Sequence, residues 1–269
     1  SLIIIVNRSF SKNCRCCNSL SKLCLVSKYC FTFWIFWKER WLLYLKFCPS
    51  LNRPFKVYSN KLNVVSRCWP SIISRHSFFS LTPFTRRSLQ LAFCIRAASG
   101  IVVFYLYSEY YPNRAEADTF KYFDDSYYMA KAFWSHPIDF FQMLLGIDCN
   151  TEYFNTNYFN NMSNWVRSYD NGLFNDNRLI IRLNAVFRLF SMGNYHIHSL
   201  CFNFIAFMGS LQLAKVFYGI SRSKLKSYVV IFLLPSVIFW SSGIFKESIL
   251  LFGLGTFVYY FYQKQLCLL

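Results

Sequence analysis

The sequence predicts an all-α, polytopic membrane protein: transmembrane helices, an outer loop carrying an amphipathic interfacial helix, and an irregular N-terminal third. Three observations carry this. Residues 195–214 run for 20 residues without Asp, Glu, Lys or Arg, and about 20 apolar residues span a bilayer core. Two more uncharged runs follow, 18 residues at 228–245 and 16 at 248–263. The chain is 55% hydrophobic, 21% aromatic and 15% charged, against about 25% charged in a soluble domain.

The 269 residues divide by chemistry near residue 96. Residues 1–96 hold eight of the eleven cysteines, no glycine and no aspartate, although turns favour Gly and Asp. The cysteines Cys14, Cys16 and Cys17 cluster without the C-x2-C spacing of a zinc site. Basic residues are spread among Phe31, Trp34, Trp37 and Trp41, which argues against a nucleic-acid surface. Lys38, Glu39 and Arg40 interrupt the apolar run 29–48, which suits an interfacial segment better than a span. The abrupt change of composition also fits translation outside the native reading frame.

The membrane domain is placed at 97–269. A partial span covers 97–107, after Arg96. A polar outer loop covers 108–194, and spans cover about 195–219, 228–245 and 248–263. The last two runs would make one helix of roughly 54 Å, too long for a bilayer core, so a break is placed at Ser241-Ser242-Gly243. Arg222, Lys224 and Lys226 put the 220–227 loop on the cytoplasmic side. The 241–247 turn and the 108–194 loop then face outward.

Within the outer loop, Glu116, Asp118, Asp124 and Asp125 fall within ten residues. A helix is predicted from Ser126 to Phe133, stopped by His136-Pro137. Residues 150–177 hold nine Asn and read as exposed loop. Asn175-Asp176 caps a helix ending at Met192-Gly193. That helix sets Arg178 and Arg182 on one face and Ile180, Leu183, Phe187 and Phe190 on the other, the pattern of a helix lying on a membrane. His196 and His198 are two apart and point to different faces of a helix, so no metal site is assigned.

Three segments carry a resemblance: Asp118-x3-Tyr122 with Tyr127-x-x-Ala130; Asn177-Arg-Leu-Ile-Ile-Arg-Leu-Asn-Ala185; and Leu234-Pro-Ser-Val-Ile-Phe-Trp-Ser-Ser-Gly-Ile-Phe-Lys-Glu247. Over residues 97–265 the chain resembles the integral-membrane GT-C glycosyltransferases, mannosyltransferase-like enzymes that use polyprenyl-phosphate sugars, and most of all their bacterial members. The resemblance implies sugar transfer from a lipid-linked donor to an acceptor on the outer face of a bacterial inner membrane. It implies a loop carboxylate as base for the acceptor hydroxyl, matched first by Asp118 and then by Asp124 and Asp125. Arg178, Arg182, Lys246 and Glu247 are the candidates for holding the donor phosphate and substrate. Membrane lipid and the lipid-linked donor are the expected partners, with no nucleic acid. No cofactor is assigned, and a divalent cation at Asp124 and Asp125 is left open. Such enzymes have seven or more spans, so the chain reads as a fragment that would be inactive alone. The alternative is a non-enzymatic polytopic protein, a structural subunit or transporter fragment.

Overall fold

A computed structural model describes Ile73 and residues 77–80, 82–111, 113–165 and 176–266, all within the unit Asn60–Leu269. Expectations for residues 1–72, including the cysteine cluster and the 29–48 run, lie outside the described residues. Every regular element among the described residues is helical.

Helix α1 spans Arg86–Tyr110. The Thr85 hydroxyl caps it by accepting from the Ser88 amide at 3.2 Å. Tyr111 ends it in an extended conformation, as suits a residue before proline. The helix thus begins ten residues before the boundary expected at residue 96. The charge of Arg96 does not stop it, since the side chain is buried against other helices. Arg96 donates to the Ser241 Oγ at 2.5 Å, the Ser241 carbonyl at 3.3 Å and the Ser210 Oγ at 3.0 Å.

The chain then builds a cap domain from α2 (Asp118–Ser135), α3 (Pro137–Leu145), α4 (Glu152–Asn157) and α5 (Asn177–Ser191). It returns through α6 (Tyr195–Ser221), two short helices α7 (Lys224–Phe232) and α8 (Pro235–Trp240), and α9 (Lys246–Leu266). The Asn194 side chain caps α6 by accepting from the His196 and Ile197 amides.

Helix directions follow from the contacts. Phe93 meets Phe207, and Phe104 meets Tyr195, so α1 and α6 are antiparallel. Ser199 donates to the Ser242 carbonyl, and Lys215 lies over Tyr259, so α6 and α9 are parallel. The α7–α8 segment runs back between them, with Phe232 on Phe207 and the Ser242 carbonyl on Asn203. One end of the bundle therefore holds the cap domain and residues 241–247. The other holds Arg86, Arg87, Arg222, Lys224, Lys226 and Lys264, all exposed, and no acid among the described residues.

Helices α6 and α9 cross closely at two glycines. A Cβ on Gly209 would overlap the Leu251 carbonyl, and one on Gly255 would overlap the Gly209 carbonyl. Leu91, Val102 and Leu106 on α1 and Leu250, Leu254 and Phe257 on α9 are exposed, a larger apolar surface than a water-facing bundle normally shows.

Among the described residues two helices, α1 and α6, are long and apolar enough to cross a membrane. The uncharged run 228–245 is not one span. Pro235 has no amide to continue α7, and the chain breaks into helices of 9 and 6 residues. These are about 14 and 9 Å long. Helix α9 has the length, with 21 residues, but Tyr259, Tyr260, Tyr262, Gln263 and Lys264 shorten its apolar part.

Candidate functional site

The acidic stretch 118–125 is not loop: it forms the first two turns of α2. This separates the three aspartates. Asp118 sits in the first turn, where a carboxylate complements the helix dipole, and its side chain is 58% exposed. Its one ion pair is with Lys121, at 3.8 Å. Asp124 faces Arg114, which grips it through two bonds of 2.6 and 3.0 Å. Asp125 points inward and is buried. It accepts from the Ser163 amide at 2.8 Å and the Asn164 amide at 2.7 Å. Burial pushes its carboxyl above the usual range, against the pull of those two amides. Asp125 thus ties the end of the α4 segment to the middle of α2.

Helix α5 starts and stops at the predicted signals, with Asp176 before it and Met192 and Gly193 at φ 52 and 76 after it. Its arginines do not face lipid. Arg178 donates to the Trp165 carbonyl at 3.2 Å and lies over that ring at 5.2 Å. Arg182 donates to the Met143 carbonyl at 2.8 Å, and burial lowers its affinity for the proton. Arg188 donates to the Phe123 carbonyl at 2.6 Å and Ser126 Oγ at 3.1 Å. Burial brings it down to about 10. Asn177, Ile180, Ile181, Asn184 and Ala185 of the same helix are buried. The helix is thus tied into the cap domain through its arginines, where the sequence pattern points them to lipid headgroups and donor phosphate.

Lys246 opens α9 and pairs with Asp176 at 2.7 Å, joining the start of α9 to the start of α5. Glu247 is exposed beside it. Glu247 also stands at an apolar groove of about 700 Å³ between α8 and α9, lined by Val237, Trp240, Leu250 and Leu254. Asp118 and Glu247 both act electrostatically on Tyr107 at the end of α1. Both carboxylates, 129 positions apart in sequence, thus lie at the cap end of the bundle, Asp118 at the start of α2 and Glu247 at the start of α9. Asp125, Arg178 and Arg182 are committed to internal bonds.

His198 is fully buried. Its Nδ1 lies 2.7 Å from Asn184 Oδ1 and its Nε2 lies 2.6 Å from Ser191 Oγ. The two ring nitrogens thus join α5 to α6. His196 packs beside Phe104 at 4.7 Å. Among the described residues no three His, Cys, Asp or Glu side chains are grouped to hold a metal ion. The chain matches no protein-family model, no curated protein and no solved structure.

Sequence reasoning missed two features. One is Arg96, whose partners come from far along the chain. The other is a polar cleft between α2 and α4. The Tyr and Asn residues of 153–161 were its only sequence signal.

Proposed function

We propose that the chain belongs to a polytopic membrane glycosyltransferase that moves a sugar from a polyprenyl-phosphate donor to an acceptor on the outer face. The observation that carries this reading is an apolar groove of about 700 Å³ with Glu247 in its lining, at the same cap end of the bundle as the exposed carboxylate of Asp118. A polyprenyl chain needs an apolar track, and an acceptor hydroxyl needs a base at the membrane surface. In this reading Asp118 takes the proton and Glu247 orients substrate. The all-basic end of the bundle faces the cytoplasm, and the cap domain faces out. Helix α9 and the broken α7–α8 pair cross together with α1 and α6, in what would be a bacterial inner membrane.

The test is Asp118→Asn in the intact membrane enzyme that carries these residues, with a radiolabelled polyprenyl-phosphate sugar as donor. Transfer should fall at least a hundredfold, the lower range for loss of a general base, with expression and helicity unchanged. Near-normal turnover would remove Asp118 from the mechanism.

A second reading is a non-enzymatic membrane protein. It is favoured by the engagement of Arg178, Arg182 and Lys246 within the protein, which leaves the donor phosphate without these cations. Absence of donor-dependent transfer by the intact wild-type protein that carries these residues would select it.

A further inference from the structure

The cleft between α2 and α4 has a volume of about 300 Å³, the lower end for small-molecule pockets. Asp139, in the first turn of α3, organises one wall. Tyr153 and Tyr158 both donate their hydroxyl protons to Asp139 Oδ2, at 2.9 and 2.8 Å. Burial and that bond hold the Tyr158 proton well above the ordinary tyrosine value. Ser135 commits its proton to the Lys131 carbonyl, and Asn157 commits its amide to the Tyr153 carbonyl.

These internal bonds settle what the wall offers a ligand. With their protons spent, Tyr153, Tyr158 and Ser135 present oxygen lone pairs, and Asn157 presents its Oδ1 and its second N–H. Lys131 adds a charged donor, His136 adds a ring with a donor and an acceptor nitrogen, and Asn161 adds an amide that offers both a donor and an acceptor. A carboxylate carries only acceptors and would find partners in the Lys131, His136 and amide donors alone, leaving the tyrosine and serine oxygens unmatched. A ligand rich in hydroxyl donors matches that wall, and the tyrosine rings supply an apolar face.

We infer that this cleft binds a single pyranose unit. The site is separate from Asp118. Tyr128 and Ser135, which line it, lie 10 and 17 residues along α2 from Asp118, roughly 15–25 Å at the helical rise. The inference stands on the cleft's own hydrogen bonds and not on sugar transfer.

The experiment is ligand-detected NMR on the full chain in nanodiscs, with methyl pyranosides of glucose, galactose, mannose and N-acetylglucosamine as probes. At least one should bind. Tyr153→Phe and Asn161→Ala should each weaken it about tenfold, the effect of one lost hydrogen bond of about 1.4 kcal/mol. Asn161 is exposed and forms no side-chain hydrogen bond among the described residues, so its substitution tests binding without threatening the fold. Acetate, a carboxylate, should not compete. No binding by any pyranoside, binding unchanged in Asn161→Ala, or displacement by acetate would each overturn the inference. The assay needs neither donor nor turnover, so its failure is distinct from failure of the transferase reading.

Discussion

Asp125→Ala should release the Ser163–Asn164 segment from α2. The wild-type carboxylate accepts two backbone amides at 2.8 and 2.7 Å while buried. Hydrogen bonds to a charged group contribute about 1.5–3 kcal/mol each. Burial of the carboxylate opposes this, as the upward displacement of its proton affinity records. Removing the side chain also leaves two inward-facing amides without their acceptor. A local loss of about 3 kcal/mol is therefore expected, roughly a hundredfold in opening equilibrium. Hydrogen-exchange mass spectrometry on the full chain in detergent reads it directly. Peptides covering 158–165 should exchange about a hundredfold faster, while α6 peptides stay unchanged. The pH dependence has a definite sign. The folded carboxyl holds its proton to higher pH than the unfolded one, so its contribution is full below the unfolded value and declines as pH rises through the folded one. Asp125→Asn, which cannot titrate, should lose that slope. Equal exchange at 158–165 in wild type and Asp125→Ala would refute the clamp.

Three further outcomes follow from other parts of the fold. Arg188→Lys should lower the midpoint of thermal unfolding by several degrees, because an ammonium cannot reach both the Phe123 carbonyl and Ser126 Oγ while covering the Phe123 ring at 4.2 Å; an unchanged midpoint would show that these bonds are not needed. Gly209→Leu should separate α6 from α9, since even a Cβ overlaps the Leu251 carbonyl, and overpacking of this kind costs about 1–3 kcal/mol or more; cysteine cross-linking between the two helices should then fail, and retained cross-linking would refute the close crossing. Arg96→Leu should be neutral or stabilising by about 1–4 kcal/mol in denaturant unfolding, because Ser210 and Ser241 keep bonds to the Ala206 and Val237 carbonyls and Ser248 still donates to the Ser241 carbonyl; a marked loss of stability would mean the guanidinium holds the bundle together.

The sequence made α5 and α6 legible because their signals are local. Asp176, Met192-Gly193 and Asn194 mark helix ends without reference to the rest of the chain. The start of α1 was hidden for the opposite reason. A count of charges stops at Arg96, and only contacts with positions 210 and 241 make that arginine compatible with a helix core. The run 228–245 misled because absence of charge says nothing of proline, and Pro235 breaks the ladder at that point. At the candidate site, residue types were visible but their commitments were not. Arg178 and Arg182 have the spacing of a phosphate clamp, yet Trp165 and Met143 take them. Those partners precede their arginines by 13 and 39 positions, beyond any periodicity.

The same logic bears on what the cap end of the bundle can do. A side chain available to a substrate must be one that the fold has not already used. By that measure Asp125, Arg178, Arg182 and His198 belong to the scaffold, each holding one element against another. Asp118 and Glu247 remain exposed at the junction of cap and bundle, and the basic groups nearest them are Lys121, beside Asp118, and Lys246, beside Asp176. A donor phosphate entering there would have to displace Asp118 from Lys121 or Asp176 from Lys246. Displacing Asp118 frees the carboxylate that the transferase reading assigns as base. Displacing Asp176 loosens the start of α5 from the start of α9. Lys246→Met would separate these routes: it leaves the Asp118–Lys121 pair intact and removes the Lys246 contact altogether.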